Sequence, residues 1–561
     1  MQESTTTHAA HWLKDGPLLL ALLAGVACLV PFANKAFHID DPLFIWAATH
    51  IQQHPVDFYG FDVNWYSYEQ PMYEVTQNPP LACYYLALAG SLFGWSELAL
   101  HLAFLVPALA VLWATYRLAE LFGADPLLAA LATLLTPVFL VSSTSVMCDT
   151  IMLALWVWSV VLWERGRRDG RPGLLYAAGL TIALCALTKY FGMALIPLLL
   201  AYSLAARQSW RHWLGPLLLA ALILAGYHVL TDRLYGHGLL VNAARYATES
   251  RTLAQMTEGK TLVTVLAFLG GGVGGMAFFA PCLWPRRALG GLALAGGLTL
   301  AGFALLRLAN DAFEDWSGNR LLLVGQLAVF ATIGVGVLIL AVADLSTRRD
   351  APALLLFLWV AGTFQFAGYI NWTVNGRSIL PLTPAVAVLV TRRLAQRHGP
   401  AAGKPRFAYL ALLPAAALAL VVTWADYQLA ESGRRAAELL VTAERSRPGT
   451  IWFQGHWGFQ YYMQEWGGKP WDKHDSRPEA GDCIVRPSNT TNRSSLPKEL
   501  LNEEPAIIDL RAFPCLSTMH DGVGAGFYSS IWGPLPFALG DVPDERYEVN
   551  EVIKRFPPPP K

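Results

Sequence analysis

Charge is scarce in this chain. Asp, Glu, Lys and Arg make up 15% of its 561 residues, against about 25% in soluble globular proteins. The formal net charge is zero, so no bulk field favours nucleic acid. Its seven cysteines show no zinc-type Cys/His spacing, and no glycine-rich phosphate loop follows a strand. The glycine run at 270–275 lies inside an apolar segment, where close helix packing is its use. What the chain has in quantity is apolar surface, 54% of residues. Apolar runs of roughly 18–25 residues, the length of a bilayer span, recur over the first 425 positions. The chain therefore reads as a polytopic membrane protein.

The distribution of Lys and Arg orients it. Basic short loops at 163–173, 206–213, 284–288, 346–350 and 391–406 belong on the cytoplasmic side. With all five inside, thirteen crossings are expected between residues 17 and 424, with a cytoplasmic tail at 1–16. The run at 17–33 reads as an uncleaved first span, because no small-residue cleavage site follows it. The apolar stretch 79–94 would be a fourteenth crossing and would invert every later loop. It is short, and Arg117 suits the cytoplasmic side without it, so it reads as a helix that enters and leaves at the outer face. The loop 35–97, the turns near Ser143–Ser145, Lys189 and Asn371–Ser378, and the loop 233–260 then share one external surface.

Residues 426–561 differ in character. Short β-like runs such as GTIWFQG, DCIVRP and AIIDLRAF are broken by Gly, Pro and Asn, as expected of a small extracytoplasmic α/β domain. Cys483 and Cys515 lie there, where an oxidising compartment would permit a disulfide, and two free thiols are the alternative. The closing FPPPPK reads as a stiff, exposed end.

Few polar residues interrupt this pattern, and each has a structural and a chemical reading. Asp40 and Asp41 follow the first span. Asp41 before Pro42 suits a helix cap or helps bind substrate, and Asp40 is left as a free carboxylate beside the membrane. Asp149 sits just inside the outer end of a span, where a carboxylate is costly unless solvated or used. Lys189 and Arg377 lie at outer turns. Lys189 either snorkels or meets an anionic phosphate. Arg377, after Gly376 and ahead of helix-breaking prolines, either anchors in headgroups or grips a phosphate bidentately. The aromatic loop 57–75, with Trp65 and Tyr66, serves as an interfacial anchor or stacks on sugar faces. Two acidic and two cationic sites at one membrane face are what transfer from a lipid-phosphate donor needs: a base for the acceptor hydroxyl and cations for the departing phosphate.

In their order, these segments resemble the GT-C superfamily of integral-membrane glycosyltransferases, in the bacterial branch of protein O-mannosyltransferases and lipid A aminoarabinose transferases. HIDDPLFIWAATHI is similar to the family's acidic pair and juxtamembrane helix, and NPPLACYYLALAGSLFGWSELAL to its Pro-Pro-Leu stretch. SVMCDTIMLAL resembles the second acidic site, LTKYFGMALIP the Lys-Gly-Pro turn, and NGRSILPLTPAVAVL the Arg-Tyr-Leu-Leu-Pro segment. The resemblance implies Asp40 as catalytic base and Asp149 as positioner of the acceptor or a metal. Lys189 and Arg377 would hold the lipid phosphate, and the anomeric centre would invert. Departures stand at Asp41 in place of Glu, at Gln77 and Asn78 where lipid A enzymes carry Lys before Pro-Pro, and at Tyr190 and Ser378. They put a lipid A phosphate acceptor in doubt.

The expectation is an inverting glycosyltransferase of the inner membrane. It would move a hexose or pentose from a polyprenyl-phosphate donor to an extracytoplasmic lipid, glycan or protein. No cofactor is required by the sequence. A divalent metal, if used, would fall to Asp40 and Asp149. The competing classes are a flippase of lipid-linked sugars, which would favour midplane polar sites and internal repeats, and a non-catalytic envelope assembly protein.

Overall fold

The computed structural model describes residues 3–253, 258–309, 320–398, 406–444 and 449–557. The end of the proline tail and parts of the loops 233–260 and 391–406 lie outside them.

Helices dominate up to Glu444, and a strand-containing region follows. Six helices are long and apolar enough to cross a membrane: Glu97–Leu121, Trp210–Tyr235, Leu321–Arg348, Ala351–Ile370, Gly376–Arg397 and Phe407–Ala443. Two bent pairs raise this to eight at most among the described residues. The protein is an integral membrane protein, but thirteen full-length crossings are not found among the described residues. The difference has a physical cause, because apolar runs measure composition and not helix continuity. Pro126–Leu134 and Pro137–Ser143 meet at 67°, and Glu258–Gly272 and Gly274–Leu283 at 71°. Gly16–Phe32, Pro172–Thr188 and Tyr190–Ala205 are apolar but short. The stretch 79–94 forms the helix Leu81–Phe93. Its 13 residues reach about 20 Å, short of a hydrocarbon core about 30 Å thick, and it packs beside Asp41–Gln53, of the same length.

The glycines near 270 allow backbones to touch. A Cβ on Gly270 would lie 1.8 Å from the Phe330 carbonyl oxygen, and one on Gly334 would lie 2.2 Å from that of Leu266. Glu258–Gly272 and Arg320–Arg348 therefore pack closely through these glycines.

The last long helix, Leu412–Glu444, has 33 residues, or about 50 Å. It outruns the membrane and becomes the stem of the C-terminal region. There a five-stranded sheet runs in the order Lys469–Pro470, Ile451–Phe453, Cys483–Pro487, Glu545–Glu551, Ala506–Leu510. The first three strands are parallel and the last two join antiparallel. Cys483 is buried in this sheet, and Cys515 carries an exposed free thiol.

The sheet region is fastened to the early loop and to the membrane helices. Gly458, in the helix Trp457–Glu465, abuts the Phe37 carbonyl so closely that a Cβ would come within 1.9 Å of its oxygen. Tyr462 Oη accepts from Phe37 N at 2.8 Å, and Gln460 donates to the Asn64 carbonyl at 2.6 Å. Farther on, residues 516–542 run back over the helical part. Ser530 N donates to Val374 O, Gly376 N to Phe527 O, and Gln326 exchanges two hydrogen bonds with Leu539.

Candidate active site

The turn after Ser143 organises the site. Four consecutive residues each contact a different candidate segment. Val146 N donates to Asp41 Oδ1 at 3.0 Å, Met147 Sδ lies 2.8 Å from Arg377 Nη1, Cys148 Sγ contacts Asn78 Oδ1 at 3.7 Å, and Asp149 pairs with Lys189 at 2.5 Å. Asp149 opens the helix Asp149–Asp169, where the positive end of the helix dipole favours a carboxylate. It is 1% exposed, and its Oδ2 has no partner among the described residues.

Lys189 stands in extended conformation between Pro172–Thr188 and a 3-10 turn. This break directs its side chain to Asp149 and not along the bilayer surface. Arg377 is the second residue of Gly376–Ile379, whose cap Asn375 accepts from Ser378 N at 2.8 Å. The guanidinium pairs with Asp40 at 2.9 Å through Nη1, lies over the Tyr528 ring at 5.8 Å, and leaves its buried Nε without a partner among the described residues. Pro381 leaves its carbonyl to Trp359 Nε1, at 2.8 Å.

Gly376 is needed for space and not for a turn. A Cβ there would come within 2.7 Å of the Phe527 ring. Gly376→Ala is expected to destabilise the protein by about 1–3 kcal/mol through overpacking, read as a lower midpoint in thermal unfolding of the purified protein.

The acidic pair divides its labour differently from the capping expectation. Neither carboxylate caps the helix Asp41–Gln53. Asp41 is fully buried, and its two oxygens accept from His38 N at 2.8 Å and from Val146 N. It ties the loop to the turn and leaves no face open to a ligand. Burial pushes its carboxyl up to about 7, against the lowering effect of these hydrogen bonds and of Lys35. The folded protein therefore holds this proton over a pH range where the unfolded chain has lost it. This contribution to stability is present below pH 4 and is lost as pH rises toward 7. Wild type should show it as a falling unfolding midpoint across that range, and Asp41→Asn should flatten that part of the profile.

Trp65 is buried, edge-on to Trp46 and 4.7 Å from the His456 ring, so it packs the seam with the C-terminal region. Tyr66 is 37% exposed and lies within electrostatic reach of Asp40 and Tyr246.

No group of three His, Cys, Asp or Glu side chains able to hold a metal exists among the described residues. Asp40 and Asp149 are each engaged by a cation, a donor set that does not fit a protein-held metal.

Sequence reasoning passed over the most deeply buried pair near the site. Lys35 Nζ and Asp426 Oδ2 lie 2.5 Å apart with both side chains fully buried. Asp426 also accepts from Thr518 at 2.6 Å and from Tyr528 at 2.9 Å. Tyr528 in turn sits under Arg377 and edge-on to His38 at 5.4 Å. Asp426 stands just past an apolar run in WADY, which resembles an ordinary span end, and Lys35 resembles a boundary lysine.

Residues 77–230 match the family described as dolichyl-phosphate-mannose-protein mannosyltransferase. That stretch holds Asn78, Asp149 and Lys189, and the fold adds Asp40 and Arg377 from outside it. No curated protein matches the chain. Among solved structures, the Archaeoglobus fulgidus oligosaccharyltransferase tethered with an acceptor peptide is 14% identical, with a TM-score of 0.48 over 82% of this chain and 63% of that one. The present chain thus spans less than two thirds of that enzyme's length. ArnT from Cupriavidus metallidurans bound to undecaprenyl phosphate is 14% identical, with a TM-score of 0.44 over 84% of this chain and 93% of that one. The arabinosyltransferase EmbB from Mycobacterium smegmatis is 16% identical, with a TM-score of 0.28 over 89% and 47%. By its ordered motifs and its matched segment, the chain resembles the GT-C superfamily, in the protein O-mannosyltransferase and aminoarabinose transferase branch.

Proposed function

We propose that the protein is an inverting glycosyltransferase. It takes a sugar from a polyprenyl-phosphate donor and passes it to an extracytoplasmic lipid, glycan or protein at the membrane–water boundary. The observation that carries this reading is the meeting of two acid–cation pairs on one turn, each with a polar atom left over. Among the described residues, Arg377 spends Nη1 on Asp40 and keeps Nε unpaired, and Asp149 spends Oδ1 on Lys189 and keeps Oδ2. The spare guanidinium N–H and the ammonium of Lys189 suit the oxygens of a lipid phosphate.

In the reaction, Asp40 takes the proton of the acceptor hydroxyl. The oxygen attacks the anomeric carbon from the face opposite the phosphate, the carbon–oxygen bond to phosphate breaks, and polyprenyl phosphate leaves toward Arg377 and Lys189. Both cations then meet increased negative charge, which is where electrostatic stabilisation acts. Asp149 holds Lys189 in place and offers Oδ2 to the acceptor. Tyr66, exposed near Asp40, is the aromatic candidate for contact with the sugar. The membrane domain at 17–425 and the domain at 426–561 would act together, the active site and the C-terminal domain facing outward from the cytoplasmic membrane.

The test is release of polyprenyl phosphate by purified protein offered a panel of polyprenyl-phosphate sugars with candidate acceptors. Release that needs both sugar donor and acceptor supports the reading. A folded protein that instead moves lipid-linked sugars between leaflets without releasing polyprenyl phosphate would overturn it in favour of a flippase.

A further inference from the structure

Between Asp521 and Asp541 the chain runs for 19 residues, GVGAGFYSSIWGPLPFALG, without Asp, Glu, Lys, Arg or His. Elsewhere beyond Glu444, up to the closing prolines, no such stretch exceeds eight residues. A long uncharged run in an otherwise polar region belongs in a core or in lipid.

The structure sets this run against the span Leu321–Arg348. Phe537 meets Phe330 with ring centroids 5.0 Å apart. Gln326 Nε2 donates to Leu539 O at 2.9 Å, and Leu539 N donates to Gln326 Oε1 at 2.7 Å. The depth of these contacts can be counted along the helix. Asp344 is the first charged residue of the span and pairs with Arg348 at 3.1 Å and Arg392 at 3.2 Å, so it marks one polar edge. Gln326 lies 18 residues before it and Phe330 lies 14 before it. At the helical rise these are about 27 Å and about 21 Å, both inside a hydrocarbon core about 30 Å thick. Residues 537–539 therefore lie below the level of the headgroups.

Non-helical backbone at that depth must have its amides satisfied within the protein, and here it does. Gln326 serves both backbone groups of Leu539. Gly526 N donates to Leu535 O at 2.7 Å, Leu535 N to Gly524 O at 3.2 Å, and Gly540 N to Cys515 O at 3.1 Å. Pro534 and Pro536 have no N–H to place. Residues 533–538 are buried, whereas Leu539 is 48% exposed and Ile531 is 65% exposed. Beside Leu539 the span itself exposes Leu322 and Val329. Ile531 follows Ser530, whose N–H reaches Val374 just past the exposed Ile370 at the end of another span. The two bare side chains thus continue apolar surface that already belongs to membrane helices.

We propose that residues 522–540 form a re-entrant membrane segment, which dips from the C-terminal region into the near leaflet and sets Leu539 and Ile531 against lipid acyl chains. The C-terminal region is then embedded in the bilayer and not merely tethered by its stem helix. The proposal is independent of the reaction assigned to the protein.

The test is spin labelling of the full chain in vesicles of phosphatidylethanolamine and phosphatidylglycerol. Ile531→Cys and Leu539→Cys are made in a Cys515→Ser background, whose own signal is subtracted. Val329→Cys on the span is the lipid control, and Glu503→Cys, exposed in the C-terminal region, is the aqueous one. All four alter exposed side chains, and folding is confirmed before labelling. Collision with oxygen, which concentrates in hydrocarbon, is compared with collision with a water-soluble nickel chelate. Labels at 531 and 539 should shift toward oxygen as the label at 329 does, and away from the pattern at 503. A label at either position that behaves like the one at 503 would overturn the proposal by placing the segment in water. Exclusion of both reagents would overturn it too, by showing that a second copy of the chain covers this face.

Discussion

Asp40→Asn is expected to lower the rate of polyprenyl phosphate release by about 10²–10⁴-fold, the range for a positioned general base, with the donor KM little changed. The amide keeps the shape of the carboxylate and a carbonyl for Arg377 to bond, but it cannot take the acceptor proton. In wild type Asp40 lies 2.9 Å from Arg377 and is 27% exposed, so it reaches both that cation and the aqueous side. Arg377→Lys should act differently. It keeps a charge but loses the fork that would serve Asp40 and a phosphate together under the proposed function, so the donor KM should rise along with a fall in rate. Steady-state kinetics with the donor varied at saturating acceptor separates the two patterns. Equal turnover by wild type and Asp40→Asn would remove Asp40 as base. Attention would then move to Asp149, the site's remaining carboxylate with an unused oxygen.

Lys35→Met is expected to destabilise the protein by about 3–5 kcal/mol, the cost of leaving one charge of a buried pair uncompensated. The double variant Lys35→Met/Asp426→Leu should recover most of that loss, because replacing both charges by apolar side chains removes the desolvation penalty. Recovery should be incomplete, since Thr518 and Tyr528 would lose the acceptor they share. Chemical or thermal unfolding of wild type, both single variants and the double variant gives the coupling directly. A pair that contributes nothing would show additive losses. The same variants bear on function. Asp426 joins the last membrane helix to Tyr528, and Tyr528 underlies Arg377. Loosening this junction should therefore raise the donor KM even in variants that remain folded.

Much of the candidate site could be read in the sequence because the chain is so poor in charge. Asp149 and Lys189 each interrupt a long apolar stretch, where an ionic group is expensive, so each stands out. The structure joins them to each other, and Arg377 to Asp40. Other residues misled for equally physical reasons. Asp41 precedes Pro42 as a helix cap would, yet its side chain turns back to two backbone N–H groups, one of them 105 residues away. Trp65 sits in an aromatic loop that suits an open sugar platform, yet it is buried against Trp46 and His456.

By itself the sequence determined that this is a helical membrane protein with a strand-containing C-terminal region. It also determined which charged side chains would have to find partners. Those properties follow from composition and local pattern, since apolar runs seek lipid and isolated charges do not. Tertiary structure alone decided the partners and the number of full-length spans. Lys35 and Asp426 are 391 residues apart in the chain, and no local periodicity records a contact over that distance. Nor does an apolar run show where its helix will bend, because the bend depends on what the neighbouring helices and the returning segment 516–542 press against.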